Sequence, residues 1–167
     1  LSDGSKVTLA ADSRLTIAPT FSSTLRAVKL EGAASFDVAP RAKEPFALRV
    51  RDVTITVTGT AFDVVAYPQD ASVVLRVRSG SVMVRGAGED QAIAAGRTVA
   101  IAADGSFADA PAPTAGEALA WADSRFVVNG KPLREVLPLL QRWYALDLKV
   151  KDSTLLARPV TASVPLE

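Results

Sequence analysis

Three aspartates are the residues of this chain best placed to do chemistry. Asp37 and Asp63 sit in matching frames, Phe36-Asp37-Val38 and Phe62-Asp63-Val64, and Asp52 lies beside another apolar stretch. Two carboxylates facing one cleft suffice for glycoside hydrolysis, one as acid and the other as base or nucleophile. In both frames, however, the aspartate alternates with apolar neighbours. A strand of period two then turns it toward solvent, where a charge also discourages edge-to-edge aggregation. Gly59, in VTGTAFDV (57–64), and Gly32, in VKLEGAASFDV (28–38), could let a ligand approach the backbone. Each reads better as a bend where another element packs close.

The rest of the catalytic repertoire is missing from the sequence. Cysteine and histidine are both absent, which removes thiolate nucleophiles, Cys/His zinc sites, Ser-His-Asp triads and disulfides. There is no DxDxDG calcium loop and no phosphate-cradling GxxxxGKS. Nineteen Lys and Arg against eighteen Asp and Glu leave a net charge of +1, which gives no basic field for nucleic acid. Arg76, Arg78 and Arg85 alternate with Leu75, Val77 and Val84, as the solvated face of a strand does. The chain is therefore expected to bind rather than to catalyse, with no cofactor and no metal.

Through about Phe107 the apolar spacing is almost entirely two, as in Val28/Leu30, Phe46/Leu48/Val50, Val53/Ile55/Val57 and Val73/Leu75/Val77. Gly and Asp turn signals divide these runs, which predicts a mainly β domain over 1–108: a sandwich or solenoid-like stack of short antiparallel strands. A weak internal repeat supports the stack. LSDGSKVTLAAD (1–12), IAAGRTVAIAAD (93–104) and LRVRSGSVMVRG (75–86) each set two apolar positions around a glycine. Residues 109–122, rich in Ala and Pro, read as a linker.

From 123 to 167 the pattern predicts a small α+β unit of β-α-β type. Phe126 and Val128 mark a strand, Asn129-Gly130 a turn, and Leu133, Val136, Leu137, Leu140 and Tyr144 one face of a helix. Leu146, Leu148 and Val150 mark a returning strand, and 159–164 one more. Pro138 implies a kink or a late helix start. Trp121 and Trp143 suit a core or domain junction, and Arg134 and Arg142 lie off the apolar stripe. No apolar run reaches the roughly 18 residues of a membrane helix. With no initiator Met at Leu1, the chain reads as a piece of a longer protein.

In order and spacing, these segments resemble the FecR family of transmembrane anti-sigma regulators. LSDGSKVTLAADSRL (1–15) is similar to the family's opening L-x-D-G-S-x-V-x-L, and VKLEGAASFDVA (28–39) to its V-x-L-x-G-x-A-x-F-x-V. EPFALRVRDVTITVTGTAFDVVAY (44–67) carries P-F-x-V and then V-x-G-T-x-F-x-V, with VVLRVRSGSVMV (73–84) and AAGRTVAI (94–101) following in register. Trp121 and FVVNGKPLREVLPLLQRWYALDLKV (126–150) resemble the family's C-terminal unit, itself similar to the short N-terminal (STN) domain of secretins and TonB-dependent receptors.

The resemblance implies the periplasmic sensor of a single-pass inner-membrane protein of a Gram-negative bacterium. Its membrane helix and cytoplasmic sigma-binding segment would lie outside this chain. The implied partner is the signalling domain of an outer-membrane TonB-dependent transporter, usually in iron-siderophore uptake. Docking, often followed by regulated proteolysis, would free an extracytoplasmic-function (ECF) sigma factor. The family unit continues beyond the position of Glu167 into a second helix and strand, so open strand edges are expected here. The partner is expected at Phe126, Val128, Arg134, Arg142, Tyr144, Leu148, Val150, Val160 and Val164. A cell-envelope carbohydrate- or polymer-binding β domain is the alternative. It needs an exposed aromatic platform, and no tryptophan precedes Trp121.

Overall fold

The computed structural model describes residues 1–21, 26–86, 90–110 and 112–166. The chain divides into two compact units, Leu1–Ala110 and Pro111–Glu167. The first is all β. Its strands are β1 (Lys6–Leu9), β2 (Arg14–Ile17), β3 (Arg26–Asp37), β4 (Phe46–Val50), β5 (Val53–Val57), β6 (Ala61–Ala66), β7 (Ser72–Ser79), β8 (Ser81–Arg85), β9 (Gln91–Ala94), β10 (Thr98–Ala102) and β11 (Phe107–Asp109).

One strand organises them. The N-terminal half of β3 pairs with β2 and β4, and its C-terminal half pairs with β1 and β6. Two arms therefore share β3: β1-β3-β6-β7-β10-β11 and β2-β3-β4-β5-β8-β9. All pairings are antiparallel, as expected, except that of β3 with β4, which is parallel. The inward side chains of the arms meet in one core, where Phe36 stacks on Phe62 at 4.9 Å and meets Phe46 edge-on at 6.1 Å. Period two shows clearly in β4 and β5, whose alternate residues are buried, while β6 is covered on both faces.

Gly32 is the corner at which β3 leaves one arm for the other. Its φ is +100°, and a Cβ there would lie 2.8 Å from the Cα of Ser13. Ser13 sits in the turn between β1 and β2, which straddles the corner. Its Oγ accepts the Ala33 N–H at 2.8 Å, and the Ala10 N–H donates to the Ala33 carbonyl at 3.0 Å. The small residues after Gly32 make room for that turn.

A second set of close approaches stacks the crossings between the arms. A Cβ at Gly59 would meet Pro40 Cα at 2.7 Å, and one at Gly80 would meet the Gly59 carbonyl oxygen at 2.9 Å. Thr60 Oγ1 donates to the Ser81 carbonyl at 2.8 Å, and the Ala95 N–H to the Gly80 carbonyl at 3.0 Å. The β3–β4, β5–β6, β7–β8 and β9–β10 connections thus lie one on the next. The recurring glycines mark the same step each time.

Beneath this column lies a buried ion pair. Arg26, 1% exposed, donates to Asp3 Oδ2 at 3.1 Å, to the Ala39 carbonyl at 3.0 Å and through Nε to the Glu44 carbonyl at 2.8 Å. Its guanidinium carbon lies 5.8 Å from the Phe46 ring centroid. Burial pushes the Asp3 carboxyl up, but hydrogen bonds from Ser5 and Arg26 outweigh it and hold the group below the usual carboxylate range.

The second unit departs from expectation in three places, and at Pro138 one of the two alternatives, the late helix start, falls away. Residues 112–119, read as linker, form helix α1 (Ala112–Leu119), followed by a 3₁₀ turn, Ala120–Asp123. Alanine is the best helix former, and a proline in the first turn loses no helical bond. Asn129-Gly130 is not a turn but a bulge within β12 (Arg125–Pro132), with Gly130 at φ +64° and its N–H donated to Thr161 Oγ1. Helix α2 (Leu133–Tyr144) starts at Leu133 rather than late, and it carries Pro138 inside. Residues 145–150 form no strand. The chain leaves α2 through Ala145 at φ +51°, makes a 3₁₀ turn at Ser153–Ala157 and enters β13 (Pro159–Pro165), which pairs antiparallel with β12.

Two stability outcomes follow. Gly32→Ala should cost about 3 kcal/mol or more, from its positive φ and the clash with Ser13. Gly96→Ala, at φ +85° with nothing within 4 Å, should cost about 1–2 kcal/mol; equal losses in urea midpoints would contradict the corner. Asp3 contributes stability that is full above its unfolded pKa of about 3.9 and is lost as pH falls through the lower folded value. Asp3→Asn should therefore flatten the acid limb of a stability–pH curve. It should also cost about 3–5 kcal/mol at neutral pH by stranding the Arg26 charge. An acid limb as steep as the parent's would contradict this.

Candidate partner-binding surface

The aspartates do not form a reaction centre. Asp63, expected to face solvent, is fully buried, because both faces of β6 are covered along its length. Its Oδ2 accepts Arg76 Nε at 2.8 Å, while Oδ1 lies 3.2 Å from Arg78 Nε without hydrogen-bond geometry. Arg78 also reaches Asp37 Oδ1 at 2.9 Å. A guanidinium thus occupies each carboxylate, and Asp52 lies exposed in the turn between β4 and β5. Among the described residues no group of three His, Cys, Asp or Glu could hold a metal ion. No aromatic platform forms in the first unit, where Phe36, Phe46, Phe62 and Tyr67 are buried and Phe21 and Phe107 half-buried.

The expected partner residues separate into core and surface. Phe126 and Val128, on β12, are buried with Val136 of α2 and form the interior of the second unit, because α2 packs on that face of the strand. Tyr144 closes this core. Its ring meets Phe126 edge-on at 6.2 Å, and its hydroxyl donates to the Pro165 carbonyl at 3.3 Å. Val160 is half-buried against the same cluster. Val164 is 40% exposed, Arg134 is exposed beside Glu135, and Arg142 is half-buried. Leu148 and Val150 are half-buried in the segment without regular structure, next to Leu146 at 47% exposed.

Trp121 is buried, one of the two places expected of it, and the structure adds Lys131, Glu117, Asp152 and Leu155, which the sequence pattern did not single out. The Trp121 ring stacks on Trp143 at 6.3 Å, with no acceptor for its indole N–H among the described residues. Lys131 Nζ pairs with Glu117 at 3.1 Å, tying α1 to β12. Leu155 is exposed in the 3₁₀ turn before β13, capped by Asp152. The Thr154 hydroxyl and N–H hold the Asp152 carboxyl below its ordinary value. In a two-stranded sheet, β12 and β13 each keep one edge without a strand neighbour.

A β scaffold in which Asp37 and Asp63 are each held by arginine is thus followed in the chain by a small unit with open strand edges and exposed apolar side chains. Residues 1–83 match the model of the FecR protein family, and the chain belongs to that family. No curated protein matches the chain at a significant level. Its fold is that of a candidate anti-sigma factor from Parabacteroides distasonis, solved in crystals at 1.65 Å and 2.50 Å resolution. Both structures share 24% identity with the chain at a TM-score of 0.78, covering all of it and 79% and 78% of their own length. No helix among the described residues is long and apolar enough to cross a membrane.

The division into core and surface is open to test by substitution. Phe126→Ala should cost about 3–5 kcal/mol in the unfolding of the second unit, whereas Leu146→Ser and Leu155→Ser should each change it by less than about 0.5 kcal/mol. Denaturant titration followed by tryptophan fluorescence reads this directly, since Trp121 and Trp143 both lie in that unit.

Proposed function

We propose that this chain is the periplasmic sensor region of an anti-sigma regulator. It binds the signalling domain of an outer-membrane TonB-dependent transporter and relays that event to an ECF sigma factor. The regulator is held by a single membrane helix outside the chain, and the setting is iron-siderophore uptake. Family membership supports regulation of a sigma factor. One observation carries the docking step. Residues 146–150, Leu-Asp-Leu-Lys-Val, alternate as a strand does, yet they have no strand partner among the described residues. A partner strand added beside such a segment supplies the missing main-chain bonds, and its side chains meet Leu146, Leu148 and Val150. No bound group and no chemistry by this chain is required.

Calorimetric titration with the signalling domain of the transporter encoded beside this protein should show binding. Leu148→Pro and Val150→Pro should weaken it at least tenfold while leaving the fold intact, since that segment has no ladder to break. Absence of binding by the parent chain would overturn the docking step. Unchanged affinity in both variants would move it to β12 or β13.

A further inference from the structure

The outer face of the β2-β3-β4-β5-β8-β9 arm carries a row of cations set by strand register. Lys29 of β3 stands opposite Arg49 of the parallel strand β4, Arg49 opposite Thr54 of β5, and Thr54 opposite Arg85 of β8. On β2, Thr16 continues the row beside Lys29, and Arg14 stands beside it, opposite Glu31. Lys29, Arg49, Arg85 and Arg14 are all exposed, and their neighbours Val28, Leu30, Leu48, Val50 and Val84 point into the core, so the cations share one face.

Like charges directly opposite on neighbouring strands are unfavourable, yet Lys29 and Arg49 are held so. Two carboxylates answer this face: Glu31, 2.7 Å from Lys29, and Asp90, 2.7 Å from Arg85. Among the described residues four cations stand on this face against these two carboxylates, in a chain whose total charge is only +1. The row crosses neighbouring strands about 4.8 Å apart. It has no aromatic anchor, and the two hollows described in the first unit lie elsewhere, around Pro40–Thr60 and around Asp52–Gly105.

We propose that this face rests on an anionic phospholipid surface. A protein partner concentrates its binding energy in pockets and aromatic anchors, and this face offers neither. A bilayer asks only for cations clustered near its surface. Met83, 43% exposed on the same face one register step away, adds an apolar contact at the headgroup boundary. A second copy of the chain would bring like charge to like charge. The inference rests on the reading above only in placing the chain beside a membrane, and vesicle binding does not involve the transporter.

The test is cosedimentation of the 167-residue chain with vesicles of phosphatidylcholine, alone or mixed with phosphatidylglycerol. Binding should require phosphatidylglycerol and fall steeply between ~0.01 M and ~0.15 M salt, as the Debye length shrinks from about 30 to about 8 Å. Each cation removed should weaken it about fivefold, so the combined variant Lys29→Ala, Arg49→Ala, Arg85→Ala should lose roughly 100-fold. Arg97→Ala, at the end of the other arm, should lose nothing. Because the chain has no cysteine, Thr54→Cys carries a single polarity-sensitive label that tests the face even if the combined variant misfolds. Its emission should shift to the blue on anionic vesicles, and that of Ala108→Cys should not. No binding to phosphatidylglycerol vesicles, equal shifts at the two labels, or capture by poly-glutamate but not by vesicles would each overturn the proposal; the last would point to an acidic protein instead.

Discussion

A guanidinium removed from water must find acceptors for its N–H groups, and Arg26 finds them in two separate stretches of chain. Asp3 supplies the counter-charge from the N-terminal segment, Ala39 and Glu44 supply carbonyls from the connection between β3 and β4, and Phe46 lies beside the ion. Asp3 is itself held by the N–H and hydroxyl of Ser5, whose Oγ accepts the Ala39 N–H at 3.0 Å. The opening Asp-Gly-Ser and the first residue of β3 are therefore one polar knot. Taking two charges out of water is costly, and good geometry with further hydrogen bonds has to offset it. What it secures here is position. The connection that lets β4 run parallel to β3 is fixed at both ends.

That parallel step is what turns a meander into two arms. A strand returning antiparallel needs only a hairpin, whereas a parallel neighbour needs a crossing. Residues 38–45 make the first crossing, and each later one stacks on its predecessor through Pro40, Gly59, Gly80 and Ala95. The contacts at Gly59 and Gly80 leave no room for a Cβ, whereas Gly4, Gly80 and Gly96, at matching points of the repeats, share a positive φ that favours glycine. Gly32 performs a different task, since it bends β3 itself around Ser13. Two sorts of glycine that look alike in sequence thus serve a corner and a column.

Alternation made most of the β unit legible from the residues alone, because inward positions such as Leu48, Ile55 and Leu75 each had at least one polar neighbour. The failures share one physical cause. Period two says that a residue leaves its own core, but it cannot say whether something covers the other side; Asp63 is buried for that reason. Residues 146–150 have a strand's alternation without a strand's partner, and pairing is a property of two segments, not one. The Ala/Pro stretch was ambiguous because alanine suits both a helix and a featureless connector. Among the expected partner residues, Phe126 and Val128 were legible as strand positions, but the helix that buries them could not be read from their spacing.

The two units are built for different degrees of independence. The first has a continuous core of Phe, Leu, Ile and Val with stacked aromatic rings, and its polar groups are tied down. In the second, the cluster around the two strands buries only Phe126, Val128 and Val136, with Leu139, Leu140, Trp143, Tyr144 and Val160 half-covered. A two-stranded sheet alone is marginal in water and depends on helices packed against it, which here are α2 and α1 on β12. Any segment that paired with it and covered those side chains would stabilise the unit by mass action. Binding and ordering would then be one equilibrium, so the half-exposed apolar residues that weaken the isolated unit are the same ones that make its stability responsive to a partner.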